Sequence, residues 1–169
     1  MRGLHIAVTD EELERFLDLP VDEQADHVHE ILEQQKFDTA DCAETDMSWA
    51  YIHAALNDTD PDGPLQFPDS AIGASEARFA ITGHAAAHAT QDFFVGLVEK
   101  NRVSSVSRAL EAISSEEIGQ RVIDVHKRYA STGSASDAAE YTMGWYPGLV
   151  AFFRHAAASG KHVIFTVDF

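Results

Sequence analysis

LVAFFRHAAASGKHVIFTVDF, from Leu149 to Phe169, decides how the chain folds. Leu149, Phe152, Phe153 and Ala156 recur at spacings of three and four, which sets them on one face of a helix. Gly160 follows where a helix end takes a left-handed residue. KHVIFTVDF then reads as a strand, because it is short, rich in β-branched and aromatic residues, and preceded by a glycine. The connection is very short, so the strand turns straight back beside its helix.

Working outward, the other end of the chain offers a second strand. GLHIAV (Gly3–Val8) is apolar and bounded by Thr9-Asp10. DFFVGLVEK (Asp92–Lys100) is a third stretch of strand formers. Between them lie helical patterns. TDEELERFLDL opens with Thr9 and carries Glu12 three positions on, a capping-box pattern. VDEQADHVHEILEQQ places Val21, Ala25, Val28, Ile31 and Leu32 on one face. A loop is expected around Lys36–Glu44. TDMSWAYIHAALND, capped by Thr45 or Asp46, has a stripe of Trp49, Ile52, His53 and Leu56. SSVSRALEAI repeats Val103, Val106, Leu110 and Ile113. SSEEIGQRVIDVHKRYA begins with a second capping-box pattern, Ser114 to Glu117. DAAEYTMGWYPGLVAFFRHAAASG is the longest helix. Pro147 lacks an amide donor and clashes with the preceding turn, so a kink or break is expected at residues 144–146. A short segment near Arg78–Thr82 is a possible extended piece.

Strands do not alternate regularly with helices, which argues against a doubly wound sheet. The pattern predicts an α+β fold. A small mixed or antiparallel sheet includes both terminal strands and is covered by about six helices. At 169 residues the default is one domain, residues 1–169. No apolar run approaches the roughly 20 residues of a membrane span. Cys42 is the only cysteine, so no disulfide forms within the chain. The first residues lack the pattern of an export signal, and the cytoplasm is the expected compartment.

The net charge is −16, and it is unevenly placed. Residues 1–76 hold 19 of the 28 acidic residues and three of the 12 basic ones; the remainder of the chain is neutral. Such a field repels nucleic acid and anionic membrane and speeds encounter with a basic partner. Solvation or adaptation to high salt is the plainer reading, although salt adaptation would acidify both halves.

Motifs that carry chemistry are sparse. GHAAAHATQD (Gly83–Asp92) would align His84, His88 and Asp92 on one face if it were helical, a weak candidate for a metal site. It lacks the glutamate of an H-E-x-x-H motif. His27 and His29 diverge on a helix and cannot share a ligand. Asp58, Asp60, Asp62 and Gly63 match the start of a calcium loop, but Asp69 stands where that loop needs glutamate. An acidic turn is the alternative. Cys42 lies among acids that raise its thiol pKa and blunt it as a nucleophile. No nucleophile elbow, dinucleotide fingerprint or phosphate loop is present, and no cofactor is implied. His53 sits within an apolar stripe beside Trp49. A histidine there is usually a satisfied core group; the functional alternative is a ligand pocket with Trp49 as a wall. Tyr141, Trp145 and Tyr146 form either helix packing or an aromatic contact surface.

TDMSWAYIHAALND resembles a motif of the YfbM-like family of uncharacterised bacterial proteins through Asp46, Trp49, Ile52, His53 and Leu56. Met47 replaces the lysine usual after the aspartate, and Asn57-Asp58 replaces a Thr-Gly ending. Pro64, Leu65, Ala71, Ile72 and Gly73 resemble a second segment, and the strand–helix after Phe93 and the closing helix and strand resemble two more. The resemblance implies an α+β domain of unknown function with both termini in one sheet, and brings no catalytic set. The residues therefore lead to a non-catalytic binding protein whose acidic N-terminal portion engages a basic protein partner. The alternative is an enzyme or small-ligand binder with a pocket around Trp49 and His53. The oligomeric state stays open.

Overall fold

Leu4 stands opposite Thr166 and Val8 opposite His162, so the first and last strands lie side by side, antiparallel. This pairing comes from a computed structural model that describes residues 2–65, 67–68, 75–90, 92–129 and 133–168. In chain order the elements are β1 (Gly3–Val8), α1 (Asp10–Leu17) and α2 (residues 21–36), then β2 (Cys42–Asp46) and α3 (Ser48–Asn57). A 3-10 turn at Glu76–Phe79 precedes β3 (Ala85–Ala89) and β4 (Phe93–Val98). The chain closes with α4 (Lys100–Glu111), α5 (Ser115–Tyr129), α6 (Ala135–Ala158) and β5 (His162–Asp168). The sheet order is β2-β1-β5-β4-β3, with every strand pair antiparallel. The fold is α+β, with six helices among the described residues.

Every residue of β1 and of β4 is buried. That explains why their sequences are continuous apolar runs rather than alternations: both faces of the sheet are covered. On one face Ile6, Val95 and Ile164 pack with Leu13, Phe16 and Leu32 of α1 and α2. On the other, Phe94, Val163 and Phe165 pack into a larger core with α3 to α6.

Several elements depart from the sequence expectation. The segment expected to be a loop contains β2, whose sequence CAETD is short and half exposed, as an edge strand allows. Thr45 and Asp46 therefore end a strand rather than cap a helix, and Met47 holds the N-cap of α3 without a side-chain bond. The possible extended piece near Arg78 is the 3-10 turn. The α2 helix passes through a π-helical turn at Val28–Glu33, which rotates its later residues relative to a plain α-helix. His29 then meets Phe93 with ring centroids 5.0 Å apart, and His27 stacks on Phe16. The α6 helix runs unbroken through Pro147. Leu149 and Phe153 beyond the proline are fully buried, and their burial outweighs the one hydrogen bond that proline removes. Gly160 ends the segment after α6 with φ +63°, the left-handed residue the sequence called for.

Candidate functional site

The β2–α3 junction forms one wall of a cleft. Asp46 takes a left-handed backbone, φ +42°, as β2 turns into α3. Thr45 donates its hydroxyl to the Gly3 carbonyl at 3.2 Å, tying the junction to β1. Trp49 then lies against Phe165 of the sheet, ring centroids 5.7 Å apart. A Cβ on Gly3 would stand 2.6 Å from the indole, so only glycine admits the ring there. From α6, Tyr141 donates its hydroxyl to the Asp46 carboxylate. Tyr51 stacks on His126 and lies 3.2 Å from its Nδ1. His126 Nε2 faces the Gly133 carbonyl and so carries the ring proton; Tyr51 therefore donates to Nδ1.

Met47, Trp49, Ala50, Tyr51, Tyr141 and the loop 61–65 line a half-open cleft of about 580 Å³. Trp49, Tyr51 and Tyr141 supply aromatic walls, Pro64 and Leu65 apolar ones, and Asp62 a carboxylate. No lysine, arginine or histidine is among the described lining residues. Burial raises the pKa of both tyrosines, and the nearby charges of Asp62 on Tyr51 and Asp46 on Tyr141 raise it further. A cavity of this size with few polar groups is the usual form of a small-ligand site.

The structure separates the two residues of the expected Trp49–His53 pocket. Trp49 lines the cleft; His53 does not. His53 is 6% exposed, with Nδ1 3.3 Å from the Asn57 side-chain nitrogen. Asn57 also donates to the carbonyls of His53 and Arg78, joining α3 to the 3-10 turn. Met47, Tyr51 and the 61–65 loop border Trp49 although no spacing in the sequence marks them as its neighbours. The aromatic cluster at Tyr141 is the one part of this wall that the sequence signals.

The stretch GHAAAHATQD is not a helix. His88 lies in β3, where the pairing with β4 is irregular between Ala86 and His88. Its buried ring donates from Nδ1 to the Gln24 side-chain oxygen at 2.8 Å. His84 precedes the strand and faces Glu99 instead, at 3.7 Å, with burial pushing its pKa down. Asp92 is exposed. The helical alignment of these three therefore does not arise. Among the described residues no group of three histidine, cysteine or acidic side chains is arranged to hold a metal. In the acidic loop Asp58 pairs with Arg128, and Asp60 accepts the Asp62 amide at 3.0 Å. Asp69 lies outside the described residues, as do Ala71, Ile72 and Gly73. Cys42 is half buried, and burial, followed by the charge of Glu33, pushes its thiol up to about 11.

A second surface is defined by charge. Between Glu11 and Glu30, helices α1 and α2 and the turn between them expose Glu11, Glu14, Asp18, Asp22, Glu23, Asp26 and Glu30. Arg15 is the one exposed lysine or arginine in that span, and it pairs with Glu11. Leu17 and Val21 stand among these acids at 47% and 64% exposure.

A family model described as "Domain of unknown function (DUF1877)" matches residues 1–166. The chain belongs to this family. The match spans β1, the six described helices and most of β5, in agreement with the resemblance carried by Trp49, His53 and their neighbours. Among solved structures, the chain resembles the protein of unknown function YfbM from Escherichia coli. The two are 17% identical, with a TM-score of 0.67 over 98% of this chain and 99% of the other. At that identity the likeness establishes the fold alone. No curated protein matches the chain. No described helix is long and apolar enough to cross a membrane.

Proposed function

We propose that this chain is a non-catalytic binding protein whose acidic α1–α2 layer engages a basic protein partner. The observation that carries the reading is the run of seven exposed acids from Glu11 to Glu30 against one exposed base. Leu17 and Val21 add apolar area inside that charged field. Charge steers encounter, and buried apolar contacts supply the affinity that charge alone does not.

The test is affinity capture from lysate at low salt with the wild-type chain and with a variant carrying Glu14→Lys, Asp18→Lys, Asp22→Lys and Glu23→Lys. These positions are exposed, so the variant keeps its fold. The expected result is one or a few basic proteins held by the wild type, released by salt and not held by the variant. Recovery of no basic protein, or equal recovery by the variant, overturns the reading.

The cleft beside Trp49 favours a second reading, a small-ligand binder. Its support is the volume of about 580 Å³ behind largely apolar walls.

A further inference from the structure

We propose that the cleft beside Trp49 binds an organic ammonium ion, taken either as a free small molecule or as a lysine side chain. This inference rests on the small-ligand reading of the cleft and is independent of the acidic α1–α2 layer.

Three features converge on this ligand class. Trp49, Tyr51 and Tyr141 all border one cavity. Aromatic faces carry negative quadrupole density, and indole and phenol attract a cation over the ring. Among the described lining residues Asp62 alone is charged, and none is a base. The Asp46 carboxylate stands just behind Tyr141 and accepts its hydroxyl proton. That bond draws electron density toward the Tyr141 ring oxygen and strengthens the ring as a partner for positive charge.

The same features exclude other ligands. An anion would meet the Asp62 carboxylate with no cationic side chain among the described lining residues. A neutral apolar molecule fits the walls but gains nothing from that carboxylate. An ammonium ion with an apolar body uses both. The space of about 580 Å³ admits a molecule of several heavy atoms, and loop 61–65 forms its outer wall. Tyr51 is held rigid by His126, so this wall is preorganised.

Titration of the full chain by calorimetry tests the inference with three probes. The first is choline. The second is its neutral isostere, in which a tert-butyl group replaces the trimethylammonium. The third is Nα-acetyl-lysine methylamide. The expected result is that at least one of the two cations binds about tenfold or more tighter than the neutral isostere. Tight choline with weak lysine assigns a free small molecule; the reverse assigns a protein side chain. Asp62→Asn should reduce the preferred cation's affinity about threefold to tenfold and leave the thermal midpoint unchanged, since Asp62 is exposed. Equal binding of the isostere overturns the ammonium assignment and keeps the cleft as an apolar ligand site. A cation preference that Asp62→Asn leaves intact overturns it too. Failure of all three probes overturns both the assignment and the small-ligand reading.

Discussion

Helices α3 to α6 cover one face of the sheet with aromatic and branched side chains, whereas α1 and α2 cover the other with a smaller apolar set held by charges. On the larger side most of the buried polar groups are neutral, with Arg78 the charged exception among the described residues. Tyr146 donates to the Leu110 carbonyl at 2.9 Å, and His5 donates to the Ala80 carbonyl at 3.0 Å among phenylalanine rings. On the smaller side, Thr9 and Glu12 cap α1 reciprocally. Lys36 reaches from α2 to the Ala7 carbonyl and to Glu12, both at 2.9 Å. Asp10 is bound by Lys100 and His162, and Glu33 by Arg2 and His29. The difference shows where the acidic excess goes. A two-helix layer cannot bury enough apolar area to stand alone, so part of its acid anchors it and the rest faces solvent.

The sharpest break in the comparison comes at Gly83, which bridges to Leu97 where the chain enters β3 beside β4. It has φ +70°, and an added Cβ would stand 2.2 Å from the Leu97 carbonyl oxygen. Gly83→Ala should cost about 3 kcal/mol or more, from left-handed strain plus a backbone collision that must displace β4. Denaturant unfolding measures it.

Lys36→Met probes the smaller side. It strips a nearly buried ammonium from Glu12 and from the Ala7 carbonyl and should cost about 2 kcal/mol at neutral pH. Glu12 has a depressed pKa: burial raises it, but the Thr9 amide and Lys36 outweigh that. A depressed carboxylate contributes stability above its unfolded pKa and loses it as pH falls through the folded value. The penalty of Lys36→Met should therefore shrink in acid, below about pH 4.5. A penalty constant with pH would show that the ion pair does not anchor the layer.

His5 gives the larger side the opposite kind of signature. Burial pushes it from 6.5 down to about 3, so the folded chain keeps it neutral. Between those values the unfolded state takes up the proton and the folded state does not. Its contribution is complete above pH 6.5 and is lost as pH falls toward 3. The slope reaches about 1.4 kcal/mol per pH unit. His5→Leu should flatten unfolding free energy between pH 6 and 4.5, where Lys36→Met leaves the slope in place.

Legibility in the sequence followed local strength. The terminal strands, the Thr9 capping box and Gly160 could be read because each depends on neighbours a few residues away. β2 could not, since CAETD has no apolar alternation and a single β-branched residue, Thr45, and is a strand only because β1 pairs with it. AAAHA reads as helix by alanine propensity, yet pairing with β4 makes it β3, a tertiary override of a weak preference. The core placement of Trp49 and His53 followed from their stripe. Their separation did not: adjacent turns of one helix meet different neighbours, and the cleft joins Trp49 to a loop and to Tyr141, 92 positions away.

The central claim is that the acidic layer is the working surface. Amide hydrogen exchange of the chain, alone and with the partner recovered by affinity capture, tests it most directly. Protection confined to α1 and α2, between Asp10 and Lys36, is the predicted result. Unchanged exchange there, with protection appearing instead on α3 to α6, would contradict it.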